Sequence, residues 1–488
     1  MVKAAKKELS KHSENKWVIL ALLALAQFMV VLDIAIVNVA LPSMARQLHF
    51  AGNNLQWVIT AYTLTFGGFL LLGGRAADLF GRRKIFITAV AFFALFSLLC
   101  GLAQSDIQVI IARGLQGLAG AIMSPAALSI VLSEFEEGPE RNKAMGVWGG
   151  VAAGGAAAGV LLGGVLTQFL SWRWNFFVNV PVGIFVVLAA IRLLPHHIGE
   201  ENKKIKLDLP GAVLATGGLM ALVYGLSKAP QDGWGSTTVW GFIIGGIALL
   251  LAFIWNESRV EQPLMPLAIF KIRNVLGANV AFLVIACTLF SMFFFLTLYV
   301  QQVLGYSPLR SGLSFLPVTF IVGALSAIVS TFVGKIGYKP FMNMGPVFIA
   351  IGLFLIAHLM KVGGNYWHNV FPGLAVFAVG MGNTFVAGTL AATSGIPRHF
   401  SGLASGILNT SQQVGGAIGL AILSAVAFST VKSDAASHKL SAKAAQVHGF
   451  QSGIHVGIVL AIAAAVVVFF VVKNHKVANV QEAMSGAA

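Results

Sequence analysis

The sequence predicts an all-α polytopic membrane protein: two six-helix bundles with two additional helices inserted between them, fourteen transmembrane spans in all. Three observations lead there. Of 488 residues, 57% are hydrophobic and only 10% are charged, whereas a soluble domain carries about 25% charged residues. The apolar residues gather into fourteen runs, each long enough to cross a bilayer, since about 20 residues at ~1.5 Å rise suffice. The basic residues are sorted between the two sets of connections those runs create. With the N-terminus inside, the inner segments hold 23 Lys and Arg, the outer segments hold 8, and Arg113 is left within a span. The positive-inside rule then predicts a multi-pass cell-membrane protein (plasma or inner membrane) with both termini cytoplasmic.

The same sorting explains the net charge of +15 as topology, so no nucleic-acid partner is expected. The first apolar run is too long for the core of a cleavable signal peptide. Cys100 and Cys287 fall in separate spans and read as small core residues, with no metal spacing. No cofactor and no metal are expected.

In order, the predicted spans cover 17–41, 54–76, 84–104, 107–130, 142–169, 174–194, 209–228, 238–256, 272–303, 311–334, 340–360, 368–392, 402–430 and 450–472. Eight of the nine Trp lie near predicted ends, as an aromatic belt requires, and Trp148 lies deeper. A charged stretch at 195–208 closes the first six spans. A polar link at 256–274 follows the next two. The predicted units are therefore 1–196, an N-terminal six-helix bundle with its tail; 197–271, linkers and the inserted pair; 272–475, a C-terminal six-helix bundle; and 476–488, a cytoplasmic tail. A faint internal repeat supports two related halves: GGRAADLFGRRKIF after the second span and VGKIGYKPFMN after the tenth are both tight, basic and glycine-rich. The polar stretch 431–449 reads as a solvated outer connector.

One residue organises the functional reading. Asp33 interrupts the first span, where an ionised side chain costs roughly 2.5–3.5 kcal/mol on insertion scales. Every other acid lies in a predicted loop or at a predicted helix end. Such a residue faces a polar interior and has a task there, and Asp33 is the candidate proton-coupling carboxylate. Arg113 lies at similar predicted depth in the fourth span and is its expected partner, with Gln116 one turn on. Gly74, Asp78, Gly81, Arg82 and Arg83, in the loop after the second span, are candidates for conformational gating. Gly159, Gly163 and Gly164 in the glycine-rich fifth span join them, because small faces let helix backbones touch. Asn38, Gln116, Asn279, Asn409 and Gln412 are candidates for lining a substrate cavity, since hydrocarbon offers them no partner. The segment WRWNFFVNVPVG, 172–183, reads from composition as an interfacial anchor. His358 and His455, lone histidines near predicted outer ends, read as structural.

Together these stretches resemble the major facilitator superfamily, in particular its fourteen-helix drug:proton antiporter branch (QacA/EmrB-like). LDIAIVNVALP at 32–42 is similar to that branch's helix-1 motif and places its acid on Asp33. GRAADLFGRRK at 74–84 resembles the superfamily's inner loop. RGLQG at 113–117 resembles the helix-4 motif with its buried arginine, and WRWNFFVNVPVG resembles the segment marking the fourteen-helix branch. In the helix-5 antiporter motif, Val160 stands where that branch has proline. The resemblance implies a proton-coupled exporter of lipophilic or cationic compounds, a monomer that exchanges protons and contacts lipids. The alternative is a uniporter, symporter or lipid transporter of the same fold. The chain holds no HExxH, GxSxG or GxxxxGK[ST] and no His/Cys/Asp cluster, so it does not read as an enzyme.

Overall fold

In the computed structural model, described for residues 2–50, 54–135, 139–194, 207–394, 396, 401–437 and 440–474, regular structure is helical, and fourteen helices are long and apolar enough to cross a membrane. This is what lipid demands, because a helix satisfies its own backbone polar groups. The helices are α1 (Val2–Gln47), α2 (Trp57–Phe80), α3 (Arg82–Leu102), α4 (Asp106–Glu134), α5 (Pro139–Phe169), the single turn α6 (Trp174–Phe177), α7 (Asn179–Leu193), α8 (Leu209–Asp232), α9 (Thr237–Glu257), α10 (Arg273–Leu298), α11 (Pro308–Ile336), α12 (Lys339–Leu359), the single turn α13 (Tyr366–Asn369), α14 (Phe371–Thr393), α15 (Ser401–Ser437) and α16 (Ala442–Val471). A π turn, Tyr299–Val303, extends α10. The boundaries 196/197 and 475/476, and most of the charged stretch 195–208, lie outside the described residues.

Successive spans alternate direction, so the connections fall into two sets. The near end is the one where α1 begins; the far end is opposite. Several far-end helices start on a side-chain cap, which satisfies amides the helix cannot. Ser105 accepts from the Gln108 amide, Ser307 from that of Arg310, and Ser441 from that of Ala444.

Two expectations are corrected. The stretch 431–449 is mostly not a loop: α15 runs on to Ser437 and α16 begins at Ala442. His448 Nδ1 and Asp434 Oδ2, 2.6 Å apart, join the two extensions. Lys432 Nζ ties them to the inserted pair by donating to the carbonyls of Pro230 and Gln231 at 3.1 and 3.0 Å. And α1 does not stop at Pro42 but continues to Gln47, leaving out one helical bond where proline has no amide.

The internal repeat is visible as matched geometry. Gly81 and Gly337 both turn the chain at φ +92°, a conformation that favours glycine. Two residues on, Arg83 Nη2 donates to the Ile191 carbonyl on α7 at 2.8 Å. Lys339, at the same offset from Gly337, donates to the Phe469 carbonyl on α16 at 2.8 Å. In each half a basic residue thus holds a carbonyl near the end of that half's last spanning helix.

Packing differs at the two ends. One hydrophobic core belongs to the first half alone and runs from Ile19 to Val30 on α1 through Phe86, Phe93 and Ile130. The other core crosses between halves: it includes Leu32, Ile36, Val37, Leu41 and Met44 of α1 together with Phe294, Tyr299 and Phe315 of the second half. The inserted helices α8 and α9 pack on each other, and α8 packs on α2 and α15.

Candidate coupling site

Asp33 lies midway along α1 and is fully buried, and Arg113 on α4 is 2% exposed. Such charges persist only when paired and hydrogen-bonded. Arg113 Nη1 donates to Asp33 Oδ2 at 2.5 Å. Asp33 Oδ1 accepts from Gln116 Nε2 and from Asn179 Nδ2, both at 2.9 Å. Three helices, α1, α4 and α7, therefore meet at one carboxylate.

The second layer holds the first in place. Arg113 Nε donates to the Val58 carbonyl at 3.0 Å and Nη1 also to Gln116 Oε1 at 2.8 Å. Its guanidinium sits 4.2 Å from the centre of the Tyr62 ring and 5.7 Å from that of Phe176, a cation–π arrangement with both rings. Asn179 Nδ2 also donates to Ser97 Oγ at 3.1 Å, and Ser97 Oγ donates to the Phe176 carbonyl at 2.8 Å. Cys100 Sγ lies 3.7 Å from Gln116 Oε1, so this thiol is buried in the same shell. The arrangement can hold a carboxylate charged and dry, and it can release that carboxylate if α1, α4 and α7 move apart.

The segment 172–183 is more than an anchor. Trp174 is exposed, as an anchor should be, but Trp172 is 1% exposed and donates to Gln47 Oε1 at 2.6 Å. Arg173 Nη1 closes the end of α3 by donating to the carbonyls of Gly101 and Ala103 at 2.7 and 2.5 Å. Asn179, a residue that composition does not single out, is a direct Asp33 ligand beside Arg113 and Gln116.

The other candidate residues separate. Gln116 is fully buried in the Asp33 shell. Asn38 is half-buried and donates to the Ile34 carbonyl one turn back at 3.1 Å. Asn279 donates to the Val275 carbonyl at 2.8 Å, and its Oδ1 accepts from Ser411 Oγ at 2.9 Å; it lines an apolar cavity of about 290 Å³ between α2, α8, α9, α10 and α15. Gln412 lines a separate small cavity with Phe282, Phe290 and Phe385. Asn409 is exposed.

The expected loop is a single residue, Gly81, because α2 runs on to Phe80 and α3 begins at Arg82; across it Arg82 Nε bonds Asp78 Oδ1 at 3.0 Å and Arg82 Nη1 reaches the Ser129 carbonyl at 3.4 Å. The close helix contact belongs to Gly73, not Gly74. A Cβ at Gly73 would lie 2.3 Å from the Ala121 carbonyl oxygen, while one at Gly74 would meet only Pro125 at 3.7 Å.

The α5 glycines also divide. Gly159 and Gly163 face α1, where a Cβ would come within 2.7 Å of Ala35 Cβ and of the Ile36 carbonyl oxygen respectively. Gly164 faces the other half, 2.8 Å from Leu309 Cα by the same measure. Gly312 answers it, 2.6 Å from the Val160 carbonyl oxygen. The halves are joined there by Gln301 Nε2 donating to the Val39 carbonyl at 2.9 Å and by the Leu309 amide donating to Gln168 Oε1 at 3.2 Å. Toward the near end of α5, a Cβ at Gly146, Gly149, Gly150 or Gly154 would meet nothing within 4 Å. The far end is closed between the halves, and in the near half of α5 the glycine face is uncontacted while Ala144, Met145 and Trp148 pack into the first half's core.

Two halves that meet tightly at one end, with a liganded charge buried inside one of them, are the construction of a secondary transporter. The chain belongs to the Major Facilitator Superfamily, whose family model matches residues 23–420, and to its fourteen-helix branch. Among its relatives, the puromycin resistance protein pur8 of Streptomyces alboniger is 39% identical over 92% of this chain and 89% of its own length. The cephamycin export protein CmcT of Amycolatopsis lactamdurans is 40% identical over 83% of each. In fold, the chain is similar to an auto-inhibited POT family peptide transporter, with TM-score 0.67 and 18% identity over 96% of this chain and 99% of that one. It is similar also to a bacterial homolog of the human lysosomal transporter Spinster in an inward-facing, unoccupied conformation, with TM-score 0.63 and 16% identity over 94% and 97%.

Proposed function

We propose that the chain is a proton-coupled exporter of lipophilic or amphipathic small molecules, working by alternating access as a monomer in the cell membrane with both termini in the cytoplasm. The reading rests on one observation above all: a carboxylate with no exposure, held by Arg113, Gln116 and Asn179 from two neighbouring helices. Its relatives include antibiotic resistance and export proteins, which favours export of small compounds. The boundaries 1–196, 197–271 and 272–475 serve as the working division into halves and inserted pair.

In this mechanism the far end is the outside and stays shut while the near, cytoplasmic end admits substrate. Opening the far end parts α1 from its neighbours and wets Asp33. A proton taken up from outside neutralises the acid and releases Arg113. Return to the present arrangement requires the carboxylate again, so the proton leaves on the cytoplasmic side. One proton exchanged for one monocation moves no net charge, whereas export of a neutral compound draws on the voltage, worth about 2.3 kcal/mol per charge at 100 mV.

The test is substrate-induced proton movement in proteoliposomes, wild type against Asp33→Asn, with lipophilic cations and neutral amphiphiles. Proton release that disappears in Asp33→Asn supports the reading. Uphill transport retained in that variant moves coupling elsewhere, and downhill transport indifferent to pH in the wild type favours a uniporter.

A further inference from the structure

The inserted helices carry a second pair of buried acids. Asp208 caps the start of α8 and Glu257 ends α9, at the near end, with 3% and 4% exposure. Asp208 is well supplied with donors. Its Oδ1 accepts from the Gly211 amide at 2.9 Å and from Asn256 Nδ2 at 3.0 Å, and its Oδ2 accepts from Asn256 Nδ2 at 2.9 Å. Glu257 is not. Its Oε2 accepts from the Met265 amide at 2.8 Å, but its Oε1 is buried with no donor.

That oxygen points at Asp208. A Cβ built on Gly211 would lie 2.4 Å from Asp208 Oδ2 and 2.8 Å from Glu257 Oε1, so both oxygens converge on one spot. A hydrogen bond between the two carboxyls would satisfy Oε1. Ionised carboxyls only accept, so that bond requires a proton.

The surrounding charges give the same count. Arg75 of α2 faces both acids, but its two terminal nitrogens donate to the carbonyls of Gln262 and Pro263. Asp78, also on α2, is bonded to Arg82. On α15 the charged side chains are Lys432 and Asp434, toward the far end, and on α8 itself Lys228 and Asp232 are at the far end too. The linker contributes Arg259, Glu261 and Lys271, and Arg259 lies 5.8 Å over the Trp255 ring. Among the described residues, two carboxylates beside one guanidinium leave one negative charge in excess, which a single proton cancels.

We propose that Asp208 and Glu257 form a proton-binding site separate from Asp33, in which one proton, carried on Glu257 Oε1 and donated to Asp208 Oδ2, latches the linker 258–272 to the inserted helices. The linker is held by Glu257 at Met265 and by Arg75 at Gln262 and Pro263. Its Leu264 and Met265 form part of the wall of the 290 Å³ cavity. Loss of the proton leaves two like charges in contact away from water. The start of α8 and the end of α9 then repel, and the linker comes free of that wall. The closed latch binds a proton that the open, hydrated carboxyls release, so it tightens as pH falls and loosens as pH rises.

The experiment uses the full chain in lipid nanodiscs. Amide hydrogen exchange of residues 258–272, corrected for intrinsic exchange, is followed as pH is raised above the ordinary carboxylate range; one linked proton changes protection by at most about tenfold per pH unit. Protection is expected to fall as pH rises in the wild type. Glu257→Gln, whose amide still donates to Asp208, is expected to stay protected throughout. A wild-type linker whose protection ignores pH, or a Glu257→Gln protein with the wild-type pH response, overturns the proposal. Infrared spectra give a second readout that leaves the Asp208–Glu257 pair intact: a buried carboxylic-acid carbonyl band at neutral pH in an Asp33→Asn background supports the site, and its absence overturns it. Because that background removes Asp33, failure here is distinct from failure of the transport reading.

Discussion

Asn179 Nδ2 stands 2.9 Å from Asp33 Oδ1 and 3.1 Å from Ser97 Oγ. One amide thus ties α7 to the acid of α1 and to the wall of α3. Replacing Asn179 with Ala leaves a buried acceptor short of a donor, at a cost of about 1–3 kcal/mol. The expected result is a lower thermal midpoint of the purified protein and weaker proton-coupled transport, while an Asn179→Gln protein that can still reach the acid recovers part of both. Unchanged melting and transport in Asn179→Ala would remove this residue from the site.

Arg113 and Asp33 should behave as a unit. Arg113→Ala leaves a fully buried charge without its partner, which costs about 3–5 kcal/mol in such pairs, and is expected to reduce folded yield. Adding Asp33→Asn to Arg113→Met removes both charges. Size-exclusion profile and melting should then recover toward wild type while proton-driven transport stays absent. Arg113→Lys is not a conservative change here, because a single ammonium cannot serve Asp33, Gln116 and the Val58 carbonyl together.

The α5 glycines offer a test of position. Gly164→Val places methyl groups against Leu309, where even a Cβ comes to 2.8 Å of its Cα. It should prise the halves apart at the far end, seen as faster labelling of a cysteine introduced at the fully buried Ser311. Gly150→Ala, with nothing within 4 Å of the new carbon, should leave labelling and transport at wild-type levels. Equal effects of the two substitutions would contradict the assignment of Gly164 to the contact between halves.

Gly81 and Gly337 turn the chain in matched conformations. Alanine at either one is expected to destabilise the fold by roughly 1 kcal/mol or more, since a side chain there is strained. Thermal unfolding in detergent measures it. Gly74→Ala, in open packing, should cost less than Gly73→Ala, whose new carbon meets the α4 backbone.

Much of this was legible because charge in an apolar run is conspicuous. Asp33 and Arg113 stand out by the energy of placing them in lipid, and their similar depth in the first and fourth spans forecasts their pairing. Neutral polar residues give no such signal: Asn179, Ser97 and the Tyr62 ring sit in apolar or aromatic surroundings, and only the packing of α7 and α2 against α1 and α4 brings them to the acid. Asp208 and Glu257 give no such signal for the opposite reason. They lie at helix ends, where an acid ordinarily meets water, and the chain that covers them comes from α2 and the link after α9. Between Gly73 and Gly74 a sequence offers no choice, because the register of α2 against α4 decides which one is crowded. The polar character of 431–449 hid helix extensions whose polar groups reach one another and the inserted pair.

The core shared by α1 and the second half has a kinetic consequence. Unsealing the far end must expose apolar surface that belongs to both halves at once, and burial of such surface is worth about 25 cal/mol per Å². That step, more than the movement of hydrogen ions, should then set the turnover rate. Its activation heat capacity should show as a curved Eyring plot, and substitutions that trim Phe294 or Phe315 should speed the cycle while loosening its tightness against leak.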